Sequence, residues 1–93
     1  MTEFTRRVQA RPDVMMRQVG GEAIILNLET EAYYGLDDVG TRMWALLTTE
    51  PTIQTAYERL LDEYEIDAET LHSDLERLIE ELSVHGLITL IDG

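Results

Sequence analysis

The chain has 93 residues, of which 44% are hydrophobic, and this length and composition are typical of one folded domain. It contains no cysteine, which excludes disulfide bridges, zinc–thiolate sites and thiol nucleophiles. The net charge is −12, from 19 acidic and 7 basic residues, and a body so acidic repels the phosphates of a nucleic acid.

The charge is unevenly distributed along the chain. Residues 1–19 contain four arginines and two acids, a net +2, whereas residues 20–93 contain three arginines and seventeen acids, a net −14. Such a surface favours basic or neutral peptides as partners. No apolar run approaches the ~20 residues that span a bilayer, and no signal peptide is apparent, so we expect a cytoplasmic protein with no membrane partner.

The N-terminal segment differs from the rest of the chain. Residues 1–12, MTEFTRRVQARP, show no sustained periodicity and end in a proline, which predicts a flexible arm. The folded domain is therefore expected to span residues 13–93. Its first strand is predicted over Val14–Val19, where apolar residues predominate.

The stretch from Glu22 to Leu36, EAIILNLETEAYYGL, predicts two further strands. Gly20-Gly21 before it suits a tight hairpin turn, so three short antiparallel strands are expected. Alternation places Tyr34 and Leu36 on the inward face of the last strand and leaves Tyr33 more exposed. If that strand lies at a sheet edge, its backbone groups are free to pair with another chain.

From Asp37 onwards the hydrophobic period changes from two to 3.6, which predicts three amphipathic helices. Asp37 or Asp38 is expected to cap the first helix, Thr52 the second and Asp67 the third. Gly86 suits the C-terminal end of the third helix, and a short extended segment follows it. The predicted apolar stripes are Val39, Met43, Leu46 and Leu47, then Ile53, Ala56, Tyr57, Leu60, Leu61 and Tyr64, then Leu71, Leu75, Leu78, Ile79 and Leu82. The fold class is therefore α+β and winged helix-turn-helix-like, with a three-stranded antiparallel sheet followed by three helices.

Spaced glycine and apolar positions across residues 14–91 form a recognisable pattern. Its members are Gly20-Gly21, Tyr33-Tyr34-Gly35-Leu36, Gly40, Met43-Trp44-Ala45-Leu46-Leu47, Asp74-Leu75, Leu78-Ile79, Leu82 and Gly86-Leu87-Ile88. This pattern resembles the PqqD-like family, also called RiPP recognition elements. RiPPs are ribosomally synthesised and post-translationally modified peptides.

The resemblance implies a module without catalysis or cofactor that binds the leader of a precursor peptide and presents it to a maturation enzyme. Freestanding members from lasso-peptide pathways, which act with a leader peptidase, are the most similar in length and in the tryptophan-containing helix. A member of the coenzyme PQQ pathway, acting with a radical-SAM enzyme, is the alternative within the family.

The resemblance also implies where the leader binds. It would add as a strand beside the third strand, in the groove between that strand and the third helix. The expected peptide-binding residues are Glu31, Ala32, Tyr33, Tyr34, Leu71, Asp74, Leu75, Arg77, Leu78 and Glu81. Asp74 and Glu81 are expected to meet basic leader residues, and Arg77 an acidic one.

Other interpretations of the same residues remain open. Tyr33 and Tyr34 also suit ordinary sheet packing, and the leucines of the third helix suit an ordinary core stripe. A winged-helix DNA-binding module is disfavoured, because residues 67–86 contain one arginine against six acids. A dimerisation module would use the same strand edge. His72 and His85 have no metal-site spacing, so no metal is expected.

Overall fold

The computed structural model describes residues 2–92, which form five strands and three helices. In chain order these are β1 (Arg6–Ala10), β2 (Val14–Val19), β3 (Glu22–Asn27), β4 (Tyr33–Leu36), α1 (Asp38–Thr49), α2 (Ile53–Glu63), α3 (Ala68–Val84) and β5 (Ile88–Asp92). The α+β class and the three-stranded sheet followed by three helices are confirmed.

The strands form two antiparallel sheets. One has the order β2-β3-β4, and the other pairs β1 with β5. The hairpin between β2 and β3 turns at Gly20, whose φ of 64° suits the predicted glycine turn. Tyr34 lies opposite Ile25, and Leu36 lies opposite Ala23. Their side chains share the inward face, and Tyr33 points away from it, as predicted.

The helix boundaries follow the predicted capping signals. The Asp37 carboxylate accepts a hydrogen bond from the first turn of α1, so Asp37 rather than Asp38 is the N-cap. Thr52 forms a capping box at α2, and Asp67 caps α3. Gly86 follows α3 with a φ of 70°, a left-handed conformation that glycine adopts without strain.

The N-terminal segment is the main departure from the predicted fold. Residues 6–10 form β1, which pairs with β5 along its whole length, and Phe4 and Val8 are buried. The Phe4 ring stacks on His72 with ring centroids 4.2 Å apart. The expectation of a loose arm over residues 1–12 is therefore wrong for the described part. Val8 is the one buried residue of β1, and its arginine and glutamine neighbours conceal the alternation in the sequence.

The core lies between the inward face of the three-stranded sheet and the helices. Helix α1 packs against β1, β3, β4 and α2, and α3 packs against α2 and β5. Trp44 of α1 is also buried in this core. The most completely buried side chains are Ile25, Leu47, Ile53, Leu60, Leu71, Leu75, Ile79, Leu82 and Leu87. Across residues 2–92, every helix is too short or too polar to cross a bilayer.

Candidate functional site

The outer edge of β4 is unpaired among residues 2–92, because β4 is the last strand of its sheet. The backbone N–H of Asn27 donates a 2.8 Å hydrogen bond to the carbonyl oxygen of Ala32, just before β4. Antiparallel pairing alternates, so Tyr34 also bonds to β3, whereas Tyr33 and Gly35 direct their N–H and C=O groups outward. These two residues can therefore pair with an added strand.

A groove of about 320 Å³ lies directly beside this edge. It is bounded by β4 on one side, by the first turns of α1 at its floor and by α3 on the other side. The residues that line it are Tyr34, Gly35, Leu36, Asp37, Val39, Gly40, Met43, Asp74, Arg77 and Leu78. An extended peptide on β4 would direct every second side chain into this groove.

Four of the predicted site residues line the groove: Tyr34, Asp74, Arg77 and Leu78. Tyr33 is 68% exposed and lies on the opposite face of the sheet, where it contributes its backbone to the edge.

Three other members of the predicted site, Glu31, Ala32 and Glu81, lie near the groove rather than in its lining. Glu31 and Ala32 form the turn that precedes β4, with Glu31 at a φ of 64°. Glu81 lies one turn along α3 from the groove, with its carboxylate 4.0 Å from His85. The His85 ring in turn contacts Tyr34 edge to face, with centroids 5.4 Å apart. Glu81 is therefore connected to the edge strand through two side chains.

Leu71 and Leu75 do not line the groove, contrary to the sequence-based expectation. They are only 1% and 0% exposed, and both belong to the central core. The apolar stripe of α3 is wide enough to serve the core along most of its length, and only Leu78 reaches the groove wall. Their contribution is to hold α3 at its distance from β4.

Residues at the start of α1 form a part of the groove that sequence reasoning missed. Asp37 alone separates β4 from α1, so the first helical turn must lie beside the strand edge. A Cβ atom at Gly40 would come within 3.2 Å of both Asp37 Oδ1 and Leu36 Cδ2. Glycine therefore permits this close approach. The short connection between strand and helix was the available signal.

Asn27 connects the segments on the two sides of the groove. Its buried side chain accepts hydrogen bonds from the amides of Glu29, at 2.9 Å, and Thr30, at 3.1 Å. Its Nδ2 donates to the carbonyl oxygen of Gly86 at 2.8 Å. One side chain thus joins the turn before β4 to the end of α3.

The charges at the groove are free to meet a partner. Within residues 2–92, neither Asp74 nor Arg77 forms an ion pair.

A bidentate ion pair lies outside the groove: Arg42 on α1 donates hydrogen bonds of 2.7 and 2.6 Å to Glu63 on α2. That hydrogen bonding lowers the pKa of the Glu63 carboxyl and raises the pKa of the Arg42 guanidinium. In the described part of the chain, no three His, Cys, Asp or Glu side chains converge as metal ligands.

Comparison with known proteins agrees with this arrangement. Among solved structures, the chain is similar to one described as "TbiB1 in Complex with the TbiA(beta) Leader Peptide". The two share 29% sequence identity with a TM-score of 0.79, over 86% of this chain and 93% of the other. No curated protein matches the chain. The family model described as "Coenzyme PQQ synthesis protein D (PqqD)" matches residues 22–88, which include the edge strand, the groove and Asn27. The chain therefore belongs to the PqqD family of RiPP recognition elements.

Proposed function

We propose that this chain binds the leader segment of a ribosomally synthesised precursor peptide as a strand added to β4. The observation that carries this proposal is the unpaired edge of Tyr33 and Gly35, which lies directly beside a groove. The bound precursor is presented to a maturation enzyme, and the chain itself supplies neither catalysis nor a cofactor.

The backbone bonds alone do not account for binding. Two outward-facing residues offer up to four main-chain hydrogen bonds, each worth ~1 kcal/mol net. Ordering a disordered peptide costs ~2–5 kcal/mol, and association costs more. Affinity must therefore come from leader side chains buried against Leu36, Val39 and Met43 at ~25 cal/mol per Å².

The charges at the groove rim contribute selectivity. Asp74 and Arg77 lie in the groove lining with opposite charges, and Glu81 lies one turn further along α3. We infer that basic leader residues lie near the two acids and that an acidic residue lies near Arg77. The net charge of −12 adds a long-range attraction for basic peptides.

Two pathways suit this chain. A lasso-peptide pathway, with a separate leader peptidase as the partner, is supported by the similarity to TbiB1, which was solved with a leader peptide and is matched over 93% of its length. The alternative is a coenzyme PQQ pathway with a radical-SAM partner, which is supported by the description of the matching family model.

Calorimetry with synthetic leader peptides tests the proposal. The panel contains the TbiA(beta) leader and the N-terminal halves of short reading frames encoded beside the gene. One peptide binding at a one-to-one ratio, with its affinity lost when its sequence is scrambled, supports the proposal. Equal binding of scrambled peptides, or no binding across the panel, contradicts it.

A further inference from the structure

The outer face of the three-stranded sheet, the side that points away from the helices, carries several exposed apolar side chains. Ile24 is 53% exposed on this face, and Tyr33 is 68% exposed. The strand register places Arg17, Ile24 and Gly35 side by side in one row across β2, β3 and β4. The row therefore ends at Gly35, which has no side chain and lies at the edge where the leader is proposed to add.

Gly35 leaves an opening in this face. A Cβ atom built on Gly35 would meet nothing within 4 Å, so neither steric crowding nor a left-handed backbone explains glycine there. A surface cavity of about 710 Å³ lies over this position, and Arg17, Ile24 and Gly35 are among its lining residues. It shares Gly35, Leu36 and Asp37 with the lining of the groove.

Strand geometry determines which part of a bound peptide would face this opening. Side chains that are level with each other on neighbouring strands lie on the same face of a sheet. A guest residue level with Tyr34 therefore points into the groove, and a guest residue level with Gly35 points to the outer face. This holds for a parallel and for an antiparallel guest, because both keep the alternation.

We infer that the leader residue level with Gly35 carries a long apolar side chain, which lies across Gly35 and packs against Ile24. The inference rests on the proposed function and adds a second recognition position, on the outer face, to those in the groove. Aromatic side chains cover glycines on neighbouring strands in this way. The leader is thus read on both faces of the strand that it forms.

The distance between the guest backbone and Ile24 on β3 determines how long that side chain must be. Strands lie about 4.8 Å apart, so the guest backbone would be roughly 9.6 Å from β3. Alanine, serine or valine would leave Ile24 exposed to water. Phenylalanine, tyrosine or methionine extends far enough over Gly35 to contact it, which selects this chemical class.

Selection from a phage library of random nine-residue peptides tests the inference. The library is panned against the wild-type chain and against Gly35→Val. The valine side chain fits the open space, suits a strand and leaves the outward backbone groups in place, so only the opening is filled. We expect the peptides selected by the wild-type chain to share a long apolar residue at one position. The peptides selected by Gly35→Val should lack it there and keep the wild-type consensus at the neighbouring positions.

Affinity measurements on a peptide selected by the wild-type chain complete the test. We expect Gly35→Val to bind it at least about tenfold more weakly, the loss from an apolar contact of roughly 55 Å². Met15→Ser alters the same face two strands away and should bind it like the wild type. If Gly35→Val selected the same consensus as the wild type and bound the peptide with the same affinity, the inference would be overturned and the proposed function would stand. Failure of the wild-type chain to select any sequence would overturn the proposed function with it.

Discussion

The Asn27 side chain and the carbonyl of Gly86 are joined by a 2.8 Å hydrogen bond across 59 residues of chain. It connects the turn that introduces the edge strand β4 to the end of α3. The side-chain amide of Asn27 is therefore one direct link between the segments that form the two walls of the groove. The two other bonds of that amide are to the backbone of the same turn.

Asn27→Ala should lower the free energy of unfolding by about 2–3 kcal/mol, because three buried hydrogen bonds each contribute ~1 kcal/mol. Urea denaturation measures this. Leu28→Ala is the matched control, because Leu28 is the next residue and is 57% exposed. An Asn27→Ala variant as stable as this control would show that the amide does not hold the turn.

Tyr33→Pro should reduce leader affinity by at least about fivefold, because it removes one outward N–H whose hydrogen bond is worth ~1 kcal/mol net and proline cannot donate. The fold should be retained, since proline is tolerated at sheet edges. Tyr34→Pro is the contrasting variant, because it removes a bond to β3 and should destabilise the sheet. Calorimetry and circular dichroism report the two effects, and undiminished leader binding by Tyr33→Pro would argue against strand addition.

Leu75→Ala should cost about 2–5 kcal/mol of stability, the range for a fully buried leucine. Leu78→Ala, one turn later at the groove wall, should also weaken leader binding measured well below its unfolding midpoint. If Leu75→Ala changed affinity while leaving stability intact, Leu75 would be a binding residue and its assignment to the core would be wrong.

Asp74→Asn should weaken binding of a leader with a basic residue at that level by up to about fivefold, since solvent-exposed ion pairs contribute ~0.2–1 kcal/mol. The difference from the wild type should shrink as salt rises from 50 mM to 500 mM. Titrations at both concentrations measure it. Identical salt dependence of the variant and the wild type would remove Asp74 from the electrostatic part of the site.

The elements with local signals were predicted from the sequence. Asp37, Thr52 and Asp67 cap their helices because a cap needs only a side chain and an amide three residues later. The hairpin follows from the turn at Gly20-Gly21, and the orientations of Tyr33 and Tyr34 follow from alternation within one strand.

The features that were missed depend on distant parts of the chain. β1 pairs with β5 and packs against α1 and α2, and no pattern within residues 6–10 indicates these partners. Periodicity shows which face of α3 is apolar but not whether Leu71 and Leu75 meet the core or a groove. The contact of Asn27 with Gly86 joins positions 59 residues apart, and no local pattern in the sequence indicates it.

Amide hydrogen exchange, followed by NMR with and without a bound leader peptide, tests strand addition most directly. Strand addition predicts that exchange at the Tyr33 and Gly35 amides slows on binding, because these amides face the guest strand, while exchange at Tyr34, which is already bonded to β3, changes much less. A leader that binds at full occupancy while the Tyr33 and Gly35 amides exchange as fast as before would contradict it.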